Sequence, residues 1–195
     1  MRGREGRIIR SMSESPVSPH SFSSPGMNTI TVGRLRDDEI EPLQCLAESV
    51  WHVAYRDLIS QEQIAYMLDQ RYRPALLRQL LAQGDRIWAA RGGDQLVGFA
   101  HAFRISDDEC KLDKLYVDSS LQRHGIGQLL VGEVEHYARQ KACGHLVLRV
   151  NKGNAPAISA YLKYGFLVTS SVTEDIGQGF VMDDYVMMKR LDGNR

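Results

Sequence analysis

The chain has 195 residues, the size of one ordinary domain, with the 43% hydrophobic and 25% charged content of a globular protein. Lys+Arg and Asp+Glu both number 24, and the formal net charge of +0 removes a bulk basic balance as an argument for nucleic acid. No apolar run approaches the ~20 residues of a membrane span, and Cys45, Cys110 and Cys143 show no zinc spacing, so neither membrane nor metal is expected. The thiols read as reduced core residues of a cytoplasmic protein.

Residues 1–26 differ from the rest. They carry seven serines between Ser11 and Ser24 and three of the six prolines, a composition that buries little apolar surface and predicts a disordered leader. It lacks the apolar stretch of a secretory signal, and a working protein starting near Met27 fits the pattern better than a presequence. The domain is therefore placed at 27–191.

From Met27 the periodicity becomes regular. Ile30, Val32 and Leu35 read as a short strand. Ile40, Leu43, Leu46, Ala47, Val50 and Trp51 fall at helical spacing, and a second helical region covers about 61–81 with an interruption near Pro74. "RIWAARGGDQLVGFAHAF" predicts two strands joined at Gly92-Gly93-Asp94, with "CKLDKLYV" as the next strand. A helix follows through Ile126, Leu130, Val134 and Tyr137. The run "HLVLRV" predicts a strand buried on both faces. "NAPAISAYLKYGF" is a short helix with Asn154 as N-cap, Pro156 in its first turn and Gly165 just past its end. Strands at about 166–173 and 180–190 complete the chain. The order β-αα-β-β-β-α-β-α-β-β predicts an α/β (α+β) domain, a mixed sheet of about seven strands with helices on both faces.

The segment "LYVDSSLQRHGIGQLL" joins a strand to a helix through Gly125 and Gly127. Such a junction suits an anion, because the unpaired N–H groups of the first helical turn converge there and the helix dipole adds positive potential. Arg123 adds charge. The loop is neither a Rossmann fingerprint nor a P-loop, and its glycines alone are equally compatible with an ordinary turn.

Two motifs together are more specific. Gln122-Arg123-His124-Gly125-Ile126-Gly127 meets the pattern Q/R-x-x-G-x-G/A, and Asn154, Ala157, Tyr161, Gly165 and Phe166 meet N-x-x-A-x-x-x-Y-x-x-x-G-F. With the strand and helix order around them, they make the chain resemble the GNAT superfamily of N-acetyltransferases over roughly 27–191, nearest to small bacterial polyamine and small-amine acetyltransferases. The resemblance implies acetyl-CoA as co-substrate and a small-molecule amine as acceptor, with homodimer formation left open. It places the pyrophosphate on Gln122, Arg123, His124, Gly125, Ile126 and Gly127 and on the amide of Gln128. It assigns the pantetheine arm and thioester carbonyl to the backbone of Leu115, Tyr116 and Val117, and a further contact with the arm to Asn154, which doubles as a helix cap.

For the chemistry, the resemblance implies Tyr161 as the acid that protonates the departing thiolate, with Tyr164 as competitor more suited to packing. A primary amine with a pKa near ~10.4 is neutral in only about one molecule in a few thousand at pH 7, so a proton acceptor is also needed. Asp113, two residues before Leu115 and expected on the same strand face, is the first candidate. A surface aspartate paired with Lys111 or Lys114 is the competing reading, and Asp108 and Glu109 are weaker choices. Asp183-Asp184 and Glu174-Asp175 could wall a polycation site or be solvated turn residues. Trp51, Tyr55 and Tyr66 could line the acceptor cleft. Three functions stay open: acetylation of a small amine, acetylation of a protein or peptide, and non-catalytic acetyl-CoA binding.

Overall fold

The computed structural model describes residues 20–22 and 29–191 and follows the predicted order with two additions. The first is β1 (His20–Phe22), which lies inside the predicted leader. It pairs antiparallel with β2 (Ile30–Arg34) through His20↔Val32 and Phe22↔Ile30. The rest of that leader, and Met27, where the domain is placed to start, lie outside the described residues.

The second addition is a helix. After α1 (Ile40–Ala54), the region around Pro74 forms two separate helices, α2 (Gln61–Tyr72) and α3 (Pro74–Ala82). Proline takes the first position of α3, where no N–H is needed, and holds Arg73 extended at φ −58, ψ 136. Ser60 caps α2 by accepting from the Gln63 N–H at 3.1 Å.

The strands β3 (Arg86–Gly92), β4 (Gln95–Arg104) and β5 (Glu109–Val117) continue as an antiparallel meander. Helix α4 (Ile126–Gln140) then crosses to β6 (His145–Asn151), which runs parallel to β5. Helix α5 (Ala155–Lys163) leads into the hairpin β7 (Leu167–Gly177) and β8 (Phe180–Arg190). The eight strands lie in the order β1-β2-β3-β4-β5-β6-β8-β7.

Two cores hold the layers together. On one face, Ile126, Leu130 and Val134 of α4 pack with Trp88, Ala100, Leu112, Leu146 and Phe166. On the other, Leu43, Val50 and Trp51 of α1, Ile64 of α2 and Leu77 of α3 pack with Ile87 and Phe99. Burying one such side chain stabilises by about 1.5–3 kcal/mol.

Strand β6 departs from its prediction. Leu146, Leu148 and Val150 are buried, but Val147 is half-buried and Arg149 exposed. Helices α1 and α3 lie mainly over β3, β4 and β5, so the second face of β6 is only partly covered. The thiols divide too. Cys110 and Cys143 are buried, whereas Cys45 is exposed on α1. Among the described residues no helix is long and apolar enough to cross a membrane.

Candidate active site

Parallel strands β5 and β6 pair only from Glu109↔His145 to Lys111↔Val147. Beyond that point β5 continues to Val117 and β6 to Asn151, with no pairs between them. The sheet therefore opens as a wedge. Leu115, Tyr116 and Val117 stand on its β5 side, still paired on their other edge with Ala100, Phe99 and Gly98 of β4.

A bulge sets which side chains face where. The β4–β5 register shifts between His101↔Lys114 and Ala102↔Leu112, so β5 carries one extra residue, Asp113. Leu112 packs into the α4 core and Leu115 packs against it, while the Lys114 ammonium lies over the Tyr72 ring and Tyr116 packs into the α1–α3 core. Asp113 bonds with Lys114 and His101 on that second side. The prediction that Asp113 and Leu115 share a face is thus corrected, because an inserted residue reverses the period of two.

The glycine loop stands at the mouth of the wedge. Asp118 caps a single 3-10 turn (Ser119–Leu121), accepting from the Ser120 N–H at 2.9 Å. The Gln122 side chain reaches back to donate to the Val117 carbonyl at 3.3 Å. Arg123 (φ +68) and Gly125 (φ +83) both take left-handed backbone, which aims successive N–H groups into a concavity suited to anions. The first α4 bond runs from Leu129 N–H to the Gly125 carbonyl at 3.1 Å, so the N–H groups of Ile126, Gly127 and Gln128 precede it. No acidic residue lies in that first turn, and Gln122, Arg123, His124 and Gln128 are exposed.

The two glycines serve different ends. Gly125 is required by its positive φ, and the space where a Cβ would project is open to 4 Å. A Cβ on Gly127 would come within 2.7 Å of the Tyr164 hydroxyl, so this glycine lets α5 close over the start of α4. Tyr164 is accordingly a packing residue here, half-buried against the α4 core. An exposed rim of N–H groups, a cation at Arg123 and no opposing carboxylate in the first turn fit a pyrophosphate.

Across the wedge lies a group of hydroxyls. Asn154 caps α5 as predicted, accepting from the Ala157 N–H at 3.2 Å. The Tyr55 and Tyr116 hydroxyls stand 3.4 Å apart, and Tyr55 stacks on Trp51 at 4.4 Å between ring centroids. Trp51 itself is a core residue that donates to the Tyr72 hydroxyl at 3.1 Å. Tyr66 binds the Ile176 carbonyl at 2.7 Å and so clasps α2 to the β7–β8 hairpin.

Tyr161 sits edge-on to Phe166 at 5.8 Å, and the described residues offer its hydroxyl no hydrogen-bond partner. Burial pushes its pKa up, reinforced by the nearby Tyr55 and Tyr164, so it stays protonated at neutral pH.

The carboxylates sort into spent and unspent. Asp113 is held by Lys114 at 2.6 Å and Lys111 at 2.9 Å, and it faces His101 at 3.4 Å. Burial alone would raise its pKa, but the His101 bond and the two lysine charges outweigh that and hold it well below the usual carboxylate range. With Arg71, Asp85, His101 and Lys114 it lines a cavity of about 450 Å³ under α2 and α3. Asp108 binds the Gly144 N–H and His145 at the closed end of the β5–β6 pair, away from the opening.

Of the four C-terminal carboxylates, three have partners on β6, on the loop after it or within the hairpin. Asp183 bonds Lys152 at 2.6 Å and Thr173 at 2.9 Å, Glu174 pairs with Arg149, and Asp175 accepts from the Gly177 N–H at 2.8 Å. Asp184 is the fourth. It is 8% exposed, and its Oδ1 is buried with no hydrogen-bond partner. It was grouped with Asp183 on the sequence, yet the alternation Met182–Asp183–Asp184 already separates the two. Met182 and Asp184 share the inward face and Asp183 turns out.

The architecture recurs in known proteins. The family model "Acetyltransferase (GNAT) family" matches residues 48–166. Spermidine N(1)-acetyltransferase of Thermoplasma acidophilum is 24% identical over 80% of this chain and 96% of its own. PaiA N-acetyltransferase of Thermoplasma acidophilum, solved in complex with coenzyme A, superposes with a TM-score of 0.71 and 25% identity over 83% of this chain and 98% of that one. Streptothricin acetyltransferase of Streptomyces lavendulae is 35% identical over 42% of this chain, which spans only 44% of that enzyme's length. With the splayed strands, the glycine loop and the family match in agreement, the chain belongs to the GNAT family of acetyltransferases, with acetyl-CoA as its co-substrate.

Proposed function

We propose that the protein transfers acetyl from acetyl-CoA to the primary amine of a small cationic acceptor, by direct attack within a ternary complex, and that spermidine is the acceptor to test first. The observation that carries this reading is the wedge itself. Tyr116 lies past the last β5–β6 pair and Asn154 caps α5 just beyond the end of β6, so these residues straddle the opening whose mouth is the α4 N-terminus.

Each part has a task in this reading. Gln122 through Gly127 and the Gln128 amide hold the pyrophosphate, and the unpaired edge of Leu115, Tyr116 and Val117 aligns the arm. Bound there, acetyl-CoA supplies a thioester whose carbonyl carbon accepts the amine nitrogen. Tyr161 hydrogen-bonds the departing sulfur and gives it a proton. Holding amine and thioester in one wedge replaces a bimolecular encounter by an oriented one, the contribution that positioning makes to such transfers.

With Asp183, Glu174 and Asp175 occupied, the wall predicted for a polycation reduces to one unpaired carboxylate, enough for the single ammonium that reacts. The spermidine enzyme, matched over 96% of its own length and 80% of this chain, supports that class of acceptor. The test is thiol release from acetyl-CoA across a panel of polyamines, simple alkylamines and peptide N-termini. Small amines, led by spermidine, should give the highest kcat/KM. A clear preference for peptides, or no amine-dependent release, would contradict the reading.

A further inference from the structure

We infer that Asp184 is the carboxylate that receives the acceptor's ammonium group and takes its proton. The assignment rests on the amine acetylation proposed above and adds the missing base to it.

Position is the first argument. Asp184 pairs across β8 with Asn151, the last residue of β6, at the open end of the wedge. It shares its face with Met182, which packs beneath α1 and α2, and Gln63 of α2 secures that stretch by donating to the Val181 carbonyl at 2.9 Å. The Asp184 charge helps raise the pKa of Tyr55, whose hydroxyl stands 3.4 Å from that of Tyr116, and Tyr55 in turn helps raise that of Tyr161. Tyr55 therefore lies within electrostatic reach of both Asp184 and the hydroxyl assigned to the departing sulfur.

Cost is the second argument. A buried carboxylate oxygen without a partner is expensive, commonly 1–3 kcal/mol and more when charged. Such a group persists where something outside the chain satisfies it, and an ammonium does so with both charge and hydrogen bonds. Asp113 offers no equivalent, since Lys111 and Lys114 already hold it. Burial raises the pKa of Asp184, only partly opposed by Arg149 and Arg71 and reinforced by Asp183 and Glu174, so it is the stronger base of the two aspartates.

The step balances. The ammonium R–NH3+ gives one proton to the Asp184 carboxylate, and the freed lone pair forms the C–N bond to the thioester carbon. The C–S pair leaves on sulfur, which takes the Tyr161 proton. The surplus proton on the new amide nitrogen restores the Tyr161 hydroxyl, and Asp184 returns its proton to solvent. Amide, free thiol and one proton are the products.

The test is Asp184→Asn, with Asp184→Ser as a second variant, assayed with spermidine alongside the wild type between pH 7 and 10. Both variants should bind acetyl-CoA as the wild type does and melt at the same or a higher temperature. Their kcat/KM for the amine should fall about 10²-fold or more at pH 7. The deficit should shrink as pH approaches the amine's own pKa near ~10.4, because solvent then supplies neutral amine. The groups facing Asp184 are Arg71, Arg149, Asp183, Glu174 and Tyr55; removing the aspartate charge eases its part of the rise in the Tyr55 pKa, which burial still holds above the ordinary value. Activity within about two-fold of wild type at pH 7, or a deficit unchanged with pH, overturns the assignment and leaves amine acetylation standing. A wild type that turns over no amine overturns both.

Discussion

Replacing Tyr161 by phenylalanine is expected to lower kcat about 10²-fold while leaving acetyl-CoA affinity and stability close to wild type. The ring's edge-on contact with Phe166 survives the change, so the core around α5 keeps its packing. The hydroxyl has no hydrogen-bond partner among the described residues, and removing it leaves no orphaned group behind. The magnitude sits at the low end for proton donors. Burial makes this phenol a weaker acid than the thiol it is proposed to protonate, so the donor gains less from full transfer. Steady-state kinetics with direct acetyl-CoA titration checks it; equal turnover in the variant would remove Tyr161 from the chemistry.

Asp113→Asn should do the reverse, damaging the fold more than the reaction. Its carboxylate neutralises Lys114, which is 6% exposed, together with Lys111, and it faces His101. Leaving a buried ammonium unpaired costs about 3–5 kcal/mol, and the lower figure corresponds to a drop in Tm of roughly 6–12 °C for a domain of this size. The pH dependence follows from the depressed pKa. The stabilisation is complete above the unfolded carboxylate value of ~3.9 and is lost as pH falls toward the lower folded value. The stability gap between wild type and variant should therefore be constant around neutrality and close below about pH 4. Thermal melts across that range measure it, and a variant as stable as wild type with turnover abolished would restore Asp113 as the base.

The contrast between these aspartates shows where the sequence was readable. The glycine loop was legible because its signal is local: a strand, a turn needing positive φ at Gly125, then a helix without an acidic first turn. Helix α5 was legible for the same reason, with Asn154 capping it and Gly165 at φ +89 ending it. The bulge at Asp113 was not, because an inserted residue leaves "KLDKLYV" looking like regular alternation while reversing its faces. Nor was the half-exposed β6, whose apolar run says nothing about which helices cover it. Asp184 fell between these cases. Its alternation with Met182 was visible, but only the partners of Asp183, Glu174 and Asp175 show that it alone of the four is left unpaired.

Direct attack in a ternary complex requires both substrates to occupy the wedge before either product leaves. Initial rates over a grid of acetyl-CoA and spermidine concentrations test that requirement most directly. The account predicts intersecting double-reciprocal lines, with one acetylated polyamine formed per thiol released. Parallel lines, or thiol release that does not depend on the amine, would contradict it.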